Sequence, residues 1–511
     1  MLELKKLVEF RQAVYNQFPN RRDANMNLLD ALSSYGHRCQ SVIELSESPY
    51  FERKYSSVTD AIADGLSEVN WSKMAKTIYD NAVDKNAERI VFITDTTPQP
   101  RQSAKCVEDR HITYSPNPAP GNKPITVGHE YSALSLLPLN SAAQEKHWLV
   151  PVDTRRVKSH EKGNEVGMLQ VSECIKNLNL EATLTISVAD SKYGTENCRK
   201  QVALHSNWVH IFRLNSTRNV YAKPDAASAK QYGLSMKLND ESTHTASDSI
   251  QEKTIITRSG KSYLLKIKAW YNQVLRGSRQ FKGYQHPLTV MQLTAVDANG
   301  KSLYKNPLRL GLVGERRDEI TLLEAYHYYD SRYDIEHYFR FGKDKLLFDK
   351  YQTPEVEHEQ TWWQLTALAY SQLYLAREQV PLLPKPWERY LPSFQAQHDQ
   401  TPVTATPSQT QRGFSTLLDT IGSPAKHCRP RGKPKGRVKG ETQPRRPNYK
   451  VIFKSSNTKK NTPKKSLQES EKNSKNSDYA NIEELLKTVK NSLQNIQVTP
   501  EKFCELLQNQ I

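Results

Sequence analysis

Between positions 329 and 343 the chain reads YDSRYDIEHYFRFGK, and four of these side chains can handle phosphates or metal ions: Tyr329, Arg332, Glu336 and Lys343. On a helix, which advances about 100° per residue, Tyr329 lies at about +20°, Arg332 at about −40° and Lys343 at about −20° from Glu336. A carboxylate, a guanidinium, an ammonium and a phenol would then share one stripe. An ordinary i,i+4 ion pair between Arg332 and Glu336 is the plainer account, contributing only about 0.2–0.5 kcal/mol. That account leaves Tyr329 and Lys343 unexplained. Packing does not require such a grouping, whereas gripping phosphates around a metal-bound acid does.

Two further acids stand where ligands commonly gather. Asp95 follows the apolar run Ile90–Ile93, and Asp190 follows the alternating Leu184, Ile186 and Val188. Strand ends of an α/β sheet face the crevice that binds ligands. Each aspartate alone has a plainer reading, Asp190 as a helix N-cap and Asp95 as the cap of a loop. Together with Glu336 they make an all-oxygen ligand set suited to Mg²⁺ or Mn²⁺. Two such ions about 3.5–4 Å apart can activate an attacking oxygen and stabilise a leaving one in phosphoryl transfer.

The elements that must position these acids follow from hydrophobic periodicity. Residues 1–85 read as a helical N-terminal domain, with Leu28, Leu29 and Leu32 and then Val58, Ile62 and Leu66 at helical spacing; it either binds DNA or packs on the next domain. Residues 86–216 read as β-β-β-α-β-α-β, an α/β unit with a mixed sheet, in which Pro98 closes the first strand. Residues 217–317 form a β-rich insertion with a hairpin turn at Asp297–Gly300. Helix returns over 318–380, continuously from Glu319 to Lys345 and again from Glu359 to Glu378. Residues 381–478, rich in Pro, Ser, Thr and Lys, read as a disordered basic tail, followed by short helices over 479–511.

Charge points the same way. The net charge is +17, and residues 401–477 carry 18 Lys and Arg against four acids. Such a segment neutralises phosphates without reading sequence, although a merely solubilising tail has the same composition. The 511 residues exceed one small core, and a mean hydropathy of −0.72 describes a polar chain. No run of 18 apolar residues and no signal-like N-terminus occurs, so a cytoplasmic protein without membrane contact is the expectation. Six scattered cysteines without metal-site spacing exclude a disulfide scaffold and argue against structural zinc.

Tyr329, Arg332, Glu336 and Lys343 resemble the Y-(2)-R-(3)-E-(6)-K motif of DDE insertion-sequence transposases. FITDTT and SVADSKYG resemble the segments that carry their first and second aspartates, and the β-rich insertion falls between second aspartate and glutamate. The resemblance spans roughly residues 85–380. It implies an RNase H-like core in which Asp95, Asp190 and Glu336 hold two Mg²⁺ or Mn²⁺ ions. It also implies that Arg332 and Lys343 grip phosphates of double-stranded DNA and that Tyr329 helps position it. In some relatives an aromatic residue of the insertion stacks on a flipped base; Trp270, in KIKAWYNQV, is the candidate, with burial in a strand as the alternative. Trp362–Trp363 read as core, and His129, in VGHEYS, as a structural residue or an assistant near the site.

The implied protein is a transposase, homodimeric in its DNA complex, that cuts the ends of its own element and joins the freed 3′-hydroxyls to a target. An RNase H-like nuclease without strand transfer and a non-catalytic DNA-binding derivative are the alternatives. The presence of all three acids argues against the last.

Overall fold

The computed structural model describes residues 2–115, 122–223, 231–257, 260–383, 404–428, 438, 440, 442 and 445–453. They belong to one compact unit, Met1–Lys454. The short helices expected over 479–511, and most of the basic stretch, lie outside the described residues.

Four helices open the chain: α1 (Leu2–Gln17), α2 (Arg22–Tyr35), α3 (Ser56–Asp60) and α4 (Trp71–Ala82). The core then begins with β1 (Arg89–Pro100), β2 (His111–Tyr114), β3 (Ile125–Leu136), helix α5 (Ser141–Glu145) and β4 (Val150–Val157). It continues through α6 (Gly163–Asn177), β5 (Leu184–Ala189), α7 (Glu196–Val202) and β6 (Trp208–Arg213). β1 pairs parallel with β5, and β5 with β6, while β1–β3 and β3–β4 are antiparallel. This mixed α/β arrangement is consistent with the expected RNase H-like core. β5 is buried along its whole length, as its unbroken apolar run requires of a central parallel strand.

The β-rich insertion extends the same sheet. Its strands are β7 (Asn219–Ala222), β8 (Ser235–Lys237), β9 (Ser249–Ile256), β10 (Ser262–Val274), β11 (Leu288–Asp297) and β12 (Leu308–Val313). β12 pairs antiparallel with β6, giving one 12-stranded sheet in the order β2-β3-β1-β5-β6-β12-β11-β10-β7-β8, with β4 on β3 and β9 on β10. Gly300 takes φ +76° in the turn after β11, the left-handed conformation that a turn glycine supplies without steric cost.

Helices α8 (Leu322–Asp330), α9 (Asp334–Lys345) and α10 (Val356–Ala376) follow. α10 is apolar on nearly every side, so it must be enclosed. It packs on β4 and against α1, α2, α4 and α11 (Pro407–Ile421), with Trp362 and Trp363 in the core. The N-terminal helices therefore share one apolar core with the sheet. Arg11 of α1 bonds Asp30 of α2 at 2.6 Å and Gln372 of α10 at 2.9 Å, all three side chains buried.

Three expectations need correction. β1 runs on through Pro98; beyond Ile93 it pairs with β3 alone, and a strand with one open edge tolerates a proline. The helix expected from Glu319 to Lys345 breaks at a 3₁₀ turn, Ser331–Tyr333. The stretch read as disordered contains α11, where Thr406 and Gln409 form a reciprocal cap, Pro407 starts the helix, and Phe414, Leu417 and Leu418 are buried. Composition concealed that capping signal. The same stretch also meets the edge of the sheet at the exposed Ile452, which bridges His111 of β2 and whose N–H donates to the Arg110 carbonyl.

Candidate active site

The parallel register of β1 and β5 ends at Ile93 opposite Val188. Two residues further along stand Asp95, in the middle of β1, and Asp190, one residue past the end of β5, so the two aspartates lie beside one another where β5 stops and β1 continues. Asp190 turns the chain into a 3₁₀ turn, Ser191–Tyr193, and its side chain accepts the Lys192 N–H at 2.8 Å. The capping role read from sequence is thus real, and it holds the carboxylate at the strand end. Asp95 accepts the Thr96 N–H at 2.8 Å.

The electrostatics are crowded. Burial first, and then the charge of Asp190, push the Asp95 carboxyl up to about 6, against the opposing pull of the Thr96 N–H, Arg332 and Lys192. Arg332, in the 3₁₀ turn between α8 and α9, stands 3.4 Å from Asp95 Oδ2 and lies over the Tyr329 ring at 5.7 Å. Burial works against the Arg332 charge, but Tyr329, Asp95, Asp190 and Glu336 together outweigh it and hold its pKa above the ordinary value. One guanidinium therefore senses all three acids. Glu336, exposed in the first turn of α9, also lies at the positive end of that helix dipole.

The 3₁₀ turn divides the stripe drawn on an ideal helix. Tyr329 ends α8, Arg332 occupies the turn, and Glu336 and Lys343 share α9. Lys343 reaches β1 instead of solvent: its ammonium donates to Thr97 Oγ at 2.7 Å and to the Pro98 carbonyl at 3.2 Å. It ties α9 to the strand that carries Asp95. On the other side, α6 approaches β1 through Gly167, where a Cβ would stand 2.6 Å from Thr94 Oγ and 2.9 Å from the Tyr193 ring.

Other candidates fall elsewhere. Trp270 is buried in β10, its indole N–H donates to the Thr245 carbonyl at 3.0 Å, and the His244 ring meets it edge-on. It cannot stack on a base without leaving that pocket, so the core alternative describes it. His129 is fully buried, bonded to Glu359 at 2.7 Å and to the Glu108 carbonyl at 2.9 Å, and is structural. Lys192, missed in the sequence, places its charge beside Asp95 and its ammonium 5.6 Å over the Tyr114 ring. Its position two residues after Asp190 was the available signal.

Chemically, the arrangement offers three carboxylates as hard oxygen donors and a guanidinium fork for phosphate. Burial and the neighbouring Asp190 charge both raise the Asp95 pKa, and a cation held between the two aspartates would offset the second of these; oxygen donors of this kind suit Mg²⁺ or Mn²⁺. The family described as DDE superfamily endonuclease matches residues 13–274, more than half of the chain; the match includes Asp95 and Asp190 and ends before Glu336. No curated protein matches the chain.

Proposed function

The chain belongs to the DDE superfamily endonucleases, and from that premise we propose that it is a DNA transposase that cuts the ends of its own insertion sequence and joins the 3′-hydroxyls to target DNA. The observation that carries this reading is Arg332, set against Asp95 and within electrostatic reach of Asp190 and Glu336. Asp95, Asp190 and Glu336 would hold the metal. These carboxylates would take Mg²⁺ or Mn²⁺, expected as two ions, whose chemistry would be activation of the attacking oxygen and neutralisation of the leaving one. Arg332 shields the carboxylates from one another and turns its remaining N–H groups toward a phosphate. Tyr329 braces that guanidinium from below. Lys343 fixes α9 to β1, keeping Glu336 at a set distance from Asp95, and Lys192 adds a cation at the second aspartate. The substrate is double-stranded DNA, and two copies of the chain bridge two ends.

The test uses purified full-length chain, Mg²⁺ and DNA carrying the inverted repeats that flank the gene. Glu336→Gln is expected to lower strand cleavage by more than the roughly 10–100-fold typical of outer-shell changes at metal sites. Cleavage at wild-type rate by that variant would remove Glu336 from the site. Cleavage without joining would favour a nuclease that lacks strand transfer.

A further inference from the structure

A second group of metal-binding side chains lies on the other face of α9. His147, Asp334 and His337 each present one ligand atom, and these atoms lie within 4.8 Å of one another. His147 Nδ1 stands 2.5 Å from Asp334 Oδ1, and the two imidazole rings lie 4.6 Å apart. We propose that these three residues form a site for a borderline divalent ion such as Zn²⁺, separate from the three-carboxylate centre.

Three features support the separation. On α9, Asp334 lies about 160° from Glu336 around the helix axis and His337 about 100°, so the cluster and the catalytic acid occupy different faces. The donors also differ in kind: two imidazoles and a carboxylate suit Zn²⁺, whereas three carboxylates suit Mg²⁺. Finally, Asp334 is 2% exposed while both histidines are partly open, so one anionic ligand is held in the fold and the rings can adjust around it. Tetrahedral zinc with bonds of about 2.0–2.1 Å separates its donors by about 3.4 Å, so the hydrogen-bonded His147 and Asp334 must part slightly to admit it, a shift that a small ring rotation supplies. Three protein ligands leave a fourth position for water.

His147 supplies the link to the rest of the fold. It sits between α5 and β4 with φ +57°, a left-handed conformation uncommon outside glycine, in which histidine is one of the more frequent exceptions. A metal here would pin the first turn of α9, and with it Glu336 and the turn bearing Arg332, to the loop before β4.

The experiment strips the full-length chain with a chelator, dialyses it against Zn²⁺ alone and counts zinc per chain by atomic emission. Co²⁺ in place of Zn²⁺ reports the donors by absorption. The expected result is one zinc per chain, with a cobalt spectrum lacking thiolate charge-transfer bands. Binding should be at least tenfold weaker in His147→Gln and in His337→Gln, and unchanged in Asp95→Asn. Circular dichroism confirms that each variant is folded; His337 is partly exposed, so its variant stands in if His147→Gln fails to fold. Equal zinc in wild type and His337→Gln, loss of zinc in Asp95→Asn alone, or no zinc retained at micromolar concentration would each overturn the proposal.

Discussion

His210 shows how a single side chain beneath the site sets a pH limit. It is fully buried on β6. Trp208 Nε1 donates to Ser187 Oγ, the Ser187 hydroxyl donates to His210 Nδ1, and His210 Nε2 faces the Tyr193 carbonyl at 3.3 Å. That chain satisfies a neutral ring. Burial pushes the His210 pKa down to about 4 from an ordinary value of 6.5, against the two hydrogen bonds. A depressed histidine makes the folded state the poorer proton binder, so its contribution is intact above 6.5 and is lost progressively as pH falls toward 4. The full shift corresponds to about 3 kcal/mol. His210→Asn should therefore flatten the fall in apparent Tm between pH 6.5 and 4, and an unchanged slope would show that other groups set it. Asp95, Asp190, Arg332 and Glu336 were legible at this scale because residue type and spacing are enough to suggest an acid site. Trp270 was not, because a strand alternation does not say which face of a sheet another element covers.

At the scale of elements, the site depends on how closely α6 and α9 approach β1. Gly167 lets α6 touch Thr94 and Tyr193, which flank the two aspartates. Gly167→Ala must displace one of them, an overpacking that costs about 1–3 kcal/mol. The expected outcome is a lower Tm together with slower DNA cleavage, and an unchanged Tm with normal cleavage would refute the tight approach. Strand and helix identities were readable from periodicity, including β5, β6, β11 and β12. The 3₁₀ turn at Ser331–Tyr333 was not, since helical spacing continues on both sides of it. α11 was hidden differently, because its reciprocal cap lay within a stretch whose composition suggested disorder.

For the whole molecule, the N-terminal helices and the catalytic sheet meet on α10. Arg11, Asp30 and Gln372 join them through buried bonds, and Ser423, beyond α11, adds a contact to Asp30 at 2.7 Å. Arg11→Ala strands the Asp30 charge in the interior, a loss of about 3–5 kcal/mol. It should lower Tm and open α1–α2 to limited proteolysis; a chain as resistant as wild type would mean that this ion pair does not hold the layers together. Among the described residues no helix is long and apolar enough to cross a membrane.

The α/β alternation of the core, most of its strands and the basic character of the chain were already written in residue types and their spacing, and the same types and spacing suggested the three acids, because periodicity and charge are local properties. Three-dimensional packing settled the rest: that the insertion continues the core sheet, that Lys343 braces β1, that Trp270 is enclosed, and that His147 reaches Asp334 across 187 positions. Those facts depend on which surfaces exclude water from one another, and sequence neighbours carry no record of contacts that distant.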